Sequence, residues 1–397
     1  MRCFVLLLML GAPALEAGEK QLKLFEQVWK LIHDDYYDPK FNGVDWDKLQ
    51  SRYRAEAERA STDHEIYPLL DKMVAELKDA HTRMITPVEA REDRTRNHVA
   101  FGFSLRLIEG QYLVTQVVSR SPAEAAGLQK GWMLRSVDEK VAPINSQRDL
   151  AIWYDKAAIR EKCLAHAKVK FEFADGQNQV HPVTAKCGAV NSTPRQETAR
   201  MAGGILYVRF DSFQSSTGAW LTQVLDSNHG ASGLILDLRL NPGGLKAQLL
   251  KCLDELYAKP FSAGVDVSRK GKQHTWKVRG RGARAFTKPI VVLVDEPTMS
   301  SSEILAATIE ETGRGRVIGR RTPGKVLLSY EIALVGGGRL QLAIRDYRTE
   351  RGRRLEGAGV APDEMVPLRA ADLRKGIDRD VERALMILAP AARVGSQ

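Results

Sequence analysis

The most informative part of this sequence runs Ile290-Val291-Val292-Leu293-Val294-Asp295-Glu296-Pro297-Thr298-Met299-Ser300-Ser301-Ser302-Glu303. Its first five residues are apolar and mostly β-branched, which predicts a fully buried strand. Pro297 then marks a turn. Ser300 followed three residues later by Glu303 is the pattern of a helix capping box, and a helix is predicted from Ser302 to Thr312.

The same strand-then-helix pattern occurs earlier in the chain. Ile205 to Phe210 and Leu234 to Leu238 are further apolar runs, and a helical stretch from Lys246 to Tyr257 follows the second of them. Strands that alternate with helices predict a layered α/β domain with buried, largely parallel strands. Functional loops usually leave the carboxyl ends of such strands, so a site is expected in the turns after Leu238 and Val294.

The rest of the chain predicts a multi-domain α+β organisation around this core. The 397 residues, 44% of them hydrophobic, are enough for two or three domains. Apolar spacing predicts a helical domain over residues 18–85, and short alternating strands predict a compact module over residues 98–187. The α/β core is placed at residues 188–370 and a short helical tail at residues 371–397.

Basic residues exceed acidic ones, giving a formal net charge of +10 and an isoelectric point near 9.4. The basic clusters at Arg269 to Arg284 and Arg348 to Arg354 are interrupted by glycines and turn residues. No helical pattern presents an uninterrupted basic face, so these clusters predict a solvated surface and no nucleic-acid partner.

The N-terminus has the pattern of a secretory signal peptide over residues 1–17. Arg2 precedes an apolar run from Cys3 to Leu10, and small residues such as Ala12 and Ala17 follow it. The apolar run is much shorter than the roughly 20 residues that span a bilayer, so no stable membrane insertion is expected. The mature chain is predicted to be exported, to the periplasm or outside the cell.

Loss of that segment leaves three cysteines, Cys163, Cys187 and Cys252, and an odd number argues against a disulfide framework. Cys163 and Cys187 flank a predicted hairpin that turns at residues 174–177, so their positions would allow one bridge. Cys252 lies in a helical pattern and is expected to be a buried, unreactive thiol.

Three features of the predicted core loops carry chemistry, and each also has a purely structural interpretation. Ser300 is either a helix cap or a nucleophile that gains from the positive end of the helix dipole. Gly243 and Gly244 are either a tight turn or a place where backbone amides approach an oxyanion. Lys325 is either a solvated turn residue or a general base, which requires a neutral amine in a desolvated setting.

Taken together, these motifs resemble the carboxyl-terminal processing peptidases, also called tail-specific proteases. The third residue of their S-A-S-A-S-E motif is the catalytic serine, three before the glutamate, and it aligns with Ser300; their catalytic lysine follows 25 residues later in a G-K turn, at Lys325. The resemblance implies a serine endopeptidase with a Ser/Lys dyad, and with the amides of Gly243 and Ser301 as the oxyanion hole. Further similar stretches are Gly204 to Arg209, Leu236 to Arg239 with Asn241 to Gly244, Tyr347 to Thr349 with Gly352 and Arg353, Gly359 to Asp363, and Asp79 to Thr82.

By the same resemblance, residues 98–187 look like a PDZ domain. Phe101-Gly102-Phe103-Ser104 stands where such domains hold the carboxylate of a peptide, and Ser121 to Leu128 resembles the helix and turn beyond it. An extended peptide would add as a strand there, so protein or peptide substrates with free carboxyl-terminal tails are the expected partners. The resemblance also suggests that the helical ends mediate formation of a homodimer.

The sequence departs from the family pattern around the lysine. Pro323 and Val326 replace a phenylalanine and a glycine, and Ser329 replaces the glutamine or glutamate that orients the lysine in the family. A serine hydroxyl can still bond the amine, over a shorter reach, so Ser329 is assigned that role. Glu331 is a poorer candidate, because a carboxylate beside a lysine raises the pKa of the amine.

Two alternatives to the Ser/Lys dyad remain open on sequence alone. The altered surroundings of Lys325 would also fit an exported peptide-binding protein that has kept the fold and lost catalysis. Alternatively, His81 would act as the base, as a histidine does in related tricorn-type enzymes. Neither a metal nor an organic cofactor is expected, because the histidines are scattered without ligand spacing.

Overall fold

The computed structural model describes residues 12–95, 97–142, 159–191 and 193–389. The basic start and the apolar run of the predicted signal peptide fall in residues 1–11, outside the described residues, as do residues 390–397 of the predicted tail. Within the described ranges, no helix combines the length and the apolar content that crossing a bilayer requires.

Three helices near the N-terminus pack around a shared apolar core. They are α1 (Ala12–Asp35), α2 (Trp46–Ala57) and α3 (Asp63–Ala75). The core is lined by apolar residues at helical spacing, including Leu24, Val28, Leu70 and Met73, all of them buried. A short strand, β1 (Arg83–Ile85), and helix α4 (Pro87–Thr95) lead out of the bundle.

A β-rich module follows. Its sheet has the order β3-β4-β5-β7-β8 with β3 at one edge, β6 pairs with β5, and β2 pairs with β9 in a separate ribbon. The predicted hairpin is present as the antiparallel pair β7 and β8. The elements are β2 (Asn97–Ala100), β3 (Phe103–Ile108), β4 (Gln111–Val117), α5 (Pro122–Ala125), β5 (Met133–Val137), β6 (Lys140–Val141), α6 (Ile159–Leu164), β7 (Lys168–Ala174), β8 (Val180–Lys186) and β9 (Gly188–Asn191).

A disulfide joins Cys163 in α6 to Cys187 beyond β8, so the single bridge that the sequence allowed is confirmed. It closes a loop with a sequence separation of 24 residues, and a loop of that size stabilises a fold by about 3 kcal/mol through the unfolded state. Cys252 is free and fully buried, and burial raises the pKa of its thiol, as expected for an unreactive cysteine.

The α/β core confirms the predicted layered architecture. Its sheet has the order β10-β11-β12-β15-β16-β19, in which all neighbours are parallel except the pair β10 and β11. The strands are β10 (Gln196–Arg200), β11 (Leu206–Phe210), β12 (Leu234–Asp237), β15 (Ile290–Val294), β16 (Arg316–Gly319) and β19 (Glu364–Met365). Both faces of this sheet are covered, which explains why its strands are continuous apolar runs.

Helices cover the two faces of the core sheet unequally. One face packs against α7 (Thr217–Asp226), α8 (Lys246–Leu256) and α9 (Ser301–Glu311), and the other packs against the tail helix α11 (Arg379–Leu388). The preceding tail helix, α10 (Ala370–Lys375), lies against the β-rich module, where Arg374 Nε donates to the Gly131 carbonyl oxygen at 3.2 Å. The tail therefore contacts both the module and the core.

A second sheet was not predicted from the sequence. Its order is β1-β18-β13-β14, and β17 also pairs with β18. The additional strands are β13 (Phe261–Ser268), β14 (Gln273–Val278), β17 (Leu328–Ala333) and β18 (Arg339–Arg348). Leu340 and Leu342 of β18 are buried in the core of the N-terminal helices, so this sheet joins those helices to the rest of the chain.

Candidate active site

Ser300 lies between β15 and α9, at the carboxyl edge of the core sheet where the sequence predicted a site. Its backbone has φ 55° and ψ −121°, a conformation that non-glycine residues rarely adopt. Strained backbone of this kind is concentrated at functional sites. The residue also begins α9, since its N–H donates to Glu303 Oε2 at 3.1 Å in a capping box. The half-buried Ser300 therefore lies where both sequence interpretations, helix cap and nucleophile, place it.

The glycine loop after β12 packs directly against this serine. A Cβ atom added to Gly243, whose φ is 100°, would lie 2.7 Å from Ser300 Cβ, so only glycine fits. In this structure the Gly243 N–H donates to Asn241 Oδ1 at 2.9 Å. Of the two predicted oxyanion donors, Gly243 is thus already hydrogen-bonded, whereas the Ser301 N–H opens α9 and lacks an acceptor within its own helix. The Ser301 hydroxyl donates to the Gly244 carbonyl oxygen at 2.8 Å.

Lys325 is half-buried and its backbone meets that of Ser300. The Ser300 N–H donates to the Lys325 carbonyl oxygen at 2.8 Å, so the two predicted catalytic residues are brought together. Gly324, with φ 73°, provides the turn before the lysine, and a Cβ atom there would lie 2.5 Å from the Gly359 nitrogen. The lysine turn is therefore tightly enclosed by the segment around residue 359.

Glu303 connects the serine turn to the lysine turn. Its fully buried carboxylate accepts hydrogen bonds from the amides of Gly324 at 2.7 Å and Lys325 at 2.8 Å, besides that of Ser300. Thr322 Oγ1 donates to the same group at 2.5 Å. Burial raises the pKa of Glu303, and these hydrogen bonds oppose that shift. The sequence identified Glu303 only as a helix cap and missed this bridging role.

Ser329 lies in β17 opposite Ala343 of β18. Its hydroxyl accepts a hydrogen bond from Gln341 Nε2 at 2.9 Å, and Gln341 Oε1 in turn accepts one from Arg83 Nε at 3.1 Å. The residue assigned to orient Lys325 is thus held by a cross-strand amide, which still leaves one lone pair on its hydroxyl oxygen to accept a further hydrogen bond.

His81, the alternative base, lies close enough to Lys325 for the lysine charge to act on it. Burial, with a further contribution from Lys325, lowers the pKa of His81 to about 4, while Asp79 opposes the shift. Its Nδ1 atom is buried and has no hydrogen-bond partner among the described residues. The neighbouring Thr82 fixes this loop, since its Oγ1 accepts from the Ala343 amide at 3.2 Å. His81 is therefore a neutral imidazole beside the lysine turn.

The lowered pKa of His81 makes stability depend on pH. Between about pH 6.5 and pH 4 the folded state binds fewer protons at this residue than the unfolded state, so stability falls as the pH falls through that range. Relative to His81→Gln, we expect the wild type to lose roughly 3 kcal/mol of unfolding free energy between pH 7 and pH 4. Urea denaturation of both proteins at several pH values measures this difference, and a difference that stays constant would contradict the expectation.

The predicted peptide-binding residues, Phe101 to Ser104, form the turn between β2 and β3 and the start of β3. Gly102 has φ 85°, and a Cβ atom on it would lie 2.2 Å from Ser121 Cβ. Its carbonyl oxygen accepts from the Val118 amide at 2.8 Å. Phe101 is buried and packs edge-on against Phe171 of the module core. Residues 143–158, in the same module, lie outside the described residues.

An ion pair that the sequence did not reveal joins the module to the site loops. Arg106 of β3 donates to Asp295 Oδ2 at 3.1 Å and also pairs with Glu296. Asp295 Oδ1 accepts from the Leu240 amide at 3.1 Å and from Thr298 Oγ1 at 3.0 Å. Asp295 therefore touches the module, the glycine loop and the serine turn at once. A cavity of about 650 Å³ lies beside this contact, between the module, the core strands and the tail.

No group of three or more His, Cys, Asp or Glu side chains in the described part of the chain is arranged to hold a metal ion. The chemistry that the arrangement offers is that of a serine, a lysine and backbone amides at one edge of a parallel sheet.

The chain is similar to known proteins over nearly all of its length. Residues 204–366 match the model of peptidase family S41, and residues 19–75 match the tricorn protease C1 domain. The carboxyl-terminal-processing protease of Synechocystis sp. is 27% identical over 392 residues, which cover 95% of this chain and 89% of that protein. The chloroplastic C-terminal processing peptidase of Tetradesmus obliquus is 28% identical and covers 88% of this chain and 78% of its own length.

Solved structures agree with these sequence matches. The photosystem II D1 C-terminal processing protease superposes with a TM-score of 0.62 at 25% identity, covering 94% of this chain and 98% of that one. Mature CPAF superposes with a TM-score of 0.67 at 14% identity, covering 94% and 97%, and shows the same fold. Residues 204–366 therefore form a domain of peptidase family S41, and the chain is a serine peptidase.

Proposed function

We propose that this peptidase is an exported endopeptidase that cleaves protein substrates selected by their carboxyl-terminal tails, with Ser300 as nucleophile and Lys325 as general base. The observation that carries the proposal is the hydrogen bond from the Ser300 N–H to the Lys325 carbonyl oxygen at 2.8 Å. Two residue types that form a nucleophile and base pair thus meet at a strained strand-to-helix turn.

In the proposed reaction, the neutral amine of Lys325 takes the proton of the Ser300 hydroxyl as the oxygen attacks the peptide carbonyl. The Ser301 amide donates to the oxyanion, and the Gly243 amide joins it once the oxyanion displaces Asn241 Oδ1. The protonated lysine returns the proton to the leaving amine, and water then releases the acyl group. Ser329 is proposed to orient the amine by accepting a hydrogen bond from an amine N–H, which leaves the amine lone pair free for the Ser300 proton.

The module at residues 98–187 is proposed to be a PDZ domain that captures the tail. Among the described strands, β3 lies at one end of the five-stranded path, and the proposal places an added peptide strand beside it. Phe101, Gly102, Phe103 and Ser104 are proposed as the loop that holds the terminal carboxylate. Glycine is required at residue 102, because any side chain would collide with Ser121.

Export is proposed from the signal-like residues 1–17 and is supported by a feature of the module. The Cys163 to Cys187 disulfide is of a kind that persists in oxidising compartments outside the cytosol. Periplasmic or secreted location is accordingly part of the proposal.

Selection by the tail is tested with two disordered protein substrates that differ only at the last residue, one with a free carboxylate and one amidated. We expect kcat/KM for the amidated substrate to fall by about 10-fold or more, because a charge-assisted hydrogen bond to the loop amides is lost. Acetylation of the substrate's amino terminus serves as the matched control and should leave the rate unchanged. Equal rates for the two carboxyl-terminal forms would contradict tail selection, while leaving the catalytic residues untouched.

A further inference from the structure

The two amides that follow Lys325 end on one carboxylate. The Val326 N–H donates to Glu356 Oε2 at 2.7 Å, and the Leu327 N–H donates to the same oxygen at 3.1 Å. Both residues precede β17, which starts at Leu328, so neither amide belongs to a strand ladder. Glu356 thus supplies the acceptor for the backbone on the carboxyl side of the lysine, whereas Glu303 does so on the amino side.

The chain around Glu356 encloses the lysine turn from outside. The Gly357 N–H donates to the Gly324 carbonyl oxygen at 2.7 Å, and a Cβ atom on Gly324 would lie 2.6 Å from the Ala358 nitrogen. This spacing leaves no room for the turn to shift toward the segment. The Glu356 carboxylate and the backbone of Gly357 and Ala358 therefore hold the lysine turn from the same side.

The side chains of the two residues after Lys325 are buried in different places. Val326 packs into the core of the α/β domain, and Leu327 packs into the core of the N-terminal helices. Each has a relative exposure of 1%. Their amides must be directed between the two cores, where an unsatisfied N–H would cost about 1 to 3 kcal/mol. Glu356 Oε2 satisfies both amides, because it accepts a hydrogen bond from each of them.

The surroundings of Glu356 do not favour a charge. Burial raises the pKa of its carboxyl to about 7, and Asp79 adds to the shift, while the two amides and Arg354 oppose it. An acceptor oxygen is present in either protonation state, since a protonated carboxyl keeps its carbonyl oxygen. Glu356 is therefore expected to act as a hydrogen-bond acceptor, a role that does not depend on its charge.

We infer that Glu356 is a positioning residue of the peptidase, which fixes the peptide planes after Lys325 and so directs the lysine side chain toward Ser300. The inference rests on the proposed function of Lys325. Ser329 is short and already accepts from Gln341, so the direction of the amine depends more on the backbone from which it leaves. Loss of the Glu356 acceptor lets that backbone rotate, and a misplacement of about 1 Å costs about 100-fold in rate.

The test compares Glu356→Ala with Glu356→Gln. We expect kcat to fall 10-fold to 100-fold in the alanine variant with KM changed less than about 2-fold, because substrate binding does not involve this carboxylate. The glutamine variant should recover to within about 3-fold of wild type, since its Oε1 can accept both amides. Glu350→Ala, an exposed change in the same segment, is the matched control.

An activity-independent measurement accompanies these assays. Hydrogen exchange of the amides of Val326 and Leu327, followed by mass spectrometry, should become faster in Glu356→Ala and stay slow in Glu356→Gln. A wild-type kcat or unchanged exchange in the alanine variant would overturn the inference, and so would a glutamine variant as slow as alanine. Parallel assays of Ser300→Ala separate the two ideas, because retained activity there refutes the proposed nucleophile and leaves the exchange result standing.

Discussion

Ser300→Ala is expected to abolish hydrolysis of a disordered protein substrate, lowering kcat/KM by on the order of 10⁴-fold or more. The hydroxyl is the only part of the site that would form the acyl bond, and alanine keeps the backbone N–H that bonds Lys325 and Glu303. Loss of the hydroxyl half of the capping box should cost about 1 kcal/mol of stability and leave the protein folded. Initial rates of fragment formation, measured together with thermal unfolding, separate the loss of chemistry from a loss of folding.

Ser302→Ala is the matched control for this change. Ser302 lies two residues further along α9, is fully buried, and its hydroxyl has no hydrogen-bond partner within the described residues. Its removal should leave kcat/KM within about 2-fold of wild type. If Ser300→Ala cleaved as fast as this control, the assignment of the nucleophile would be wrong.

Lys325→Arg is expected to be as inactive as Lys325→Met, each losing at least about 10³-fold in kcat. A general base contributes only when it can accept a proton, and a guanidinium stays protonated throughout the accessible pH range. The arginine variant keeps the charge and most of the length of the lysine, so its failure isolates the need for a neutral amine. Rates measured up to about pH 10 should show no recovery in either variant.

The distant, exposed Lys288→Arg change is the control for the same substitution, and it should leave activity near wild type. Binding of a free tail peptide, followed by fluorescence, should survive in both Lys325 variants if the module folds independently of the dyad. An active Lys325→Met would point to another base, and His81 is a candidate because its imidazole is neutral beside the lysine turn. A wild-type protein that binds tail peptides but cleaves no substrate would favour the alternative of a peptide-binding protein that has lost catalysis.

Much of the core was predictable because burial on both faces leaves a simple sequence pattern. The strand from Ile290 to Val294 and the helix after Ser300 appear almost at their predicted bounds. The meeting of Ser300 with Lys325 was also anticipated, though only through a family resemblance. Apolar runs and glycine turns are local signals, and local signals were sufficient for these elements.

The second sheet was not predicted, because its strands do not have the simple apolar pattern of the core strands. Strand β14 is exposed at four of its six positions, and only Trp276 and Val278 are buried, so its composition resembles a polar loop. Strand β18 derives its stability from partners far away in sequence, including β1 at a separation of more than 250 residues. Pairings of that kind are set by tertiary context, which outweighs strand propensity.

The finer details of the site depend on orientations that no sequence pattern encodes. The Gly243 N–H donates to Asn241 in this structure and to an oxyanion in the proposed reaction, and which acceptor it meets depends on local geometry. Glu303 was recognised as a cap, yet its bonds to Gly324 and Lys325 follow from a turn that begins 21 residues later. The contact of Arg106 with Asp295 joins residues 189 positions apart. Such contacts become visible only in three dimensions.

The pairing of β1 with β18 has a consequence for how this enzyme can be divided. Strand β1 bonds residues 339–341 of β18, and Leu327, two residues beyond the lysine, is buried among the N-terminal helices. A fragment that starts at Gly204, where the peptidase family match begins, would lack those helices and expose both an unpaired strand edge and an apolar surface. The catalytic unit that can fold by itself is thus expected to be larger than residues 204–366, the segment that the peptidase family model matches.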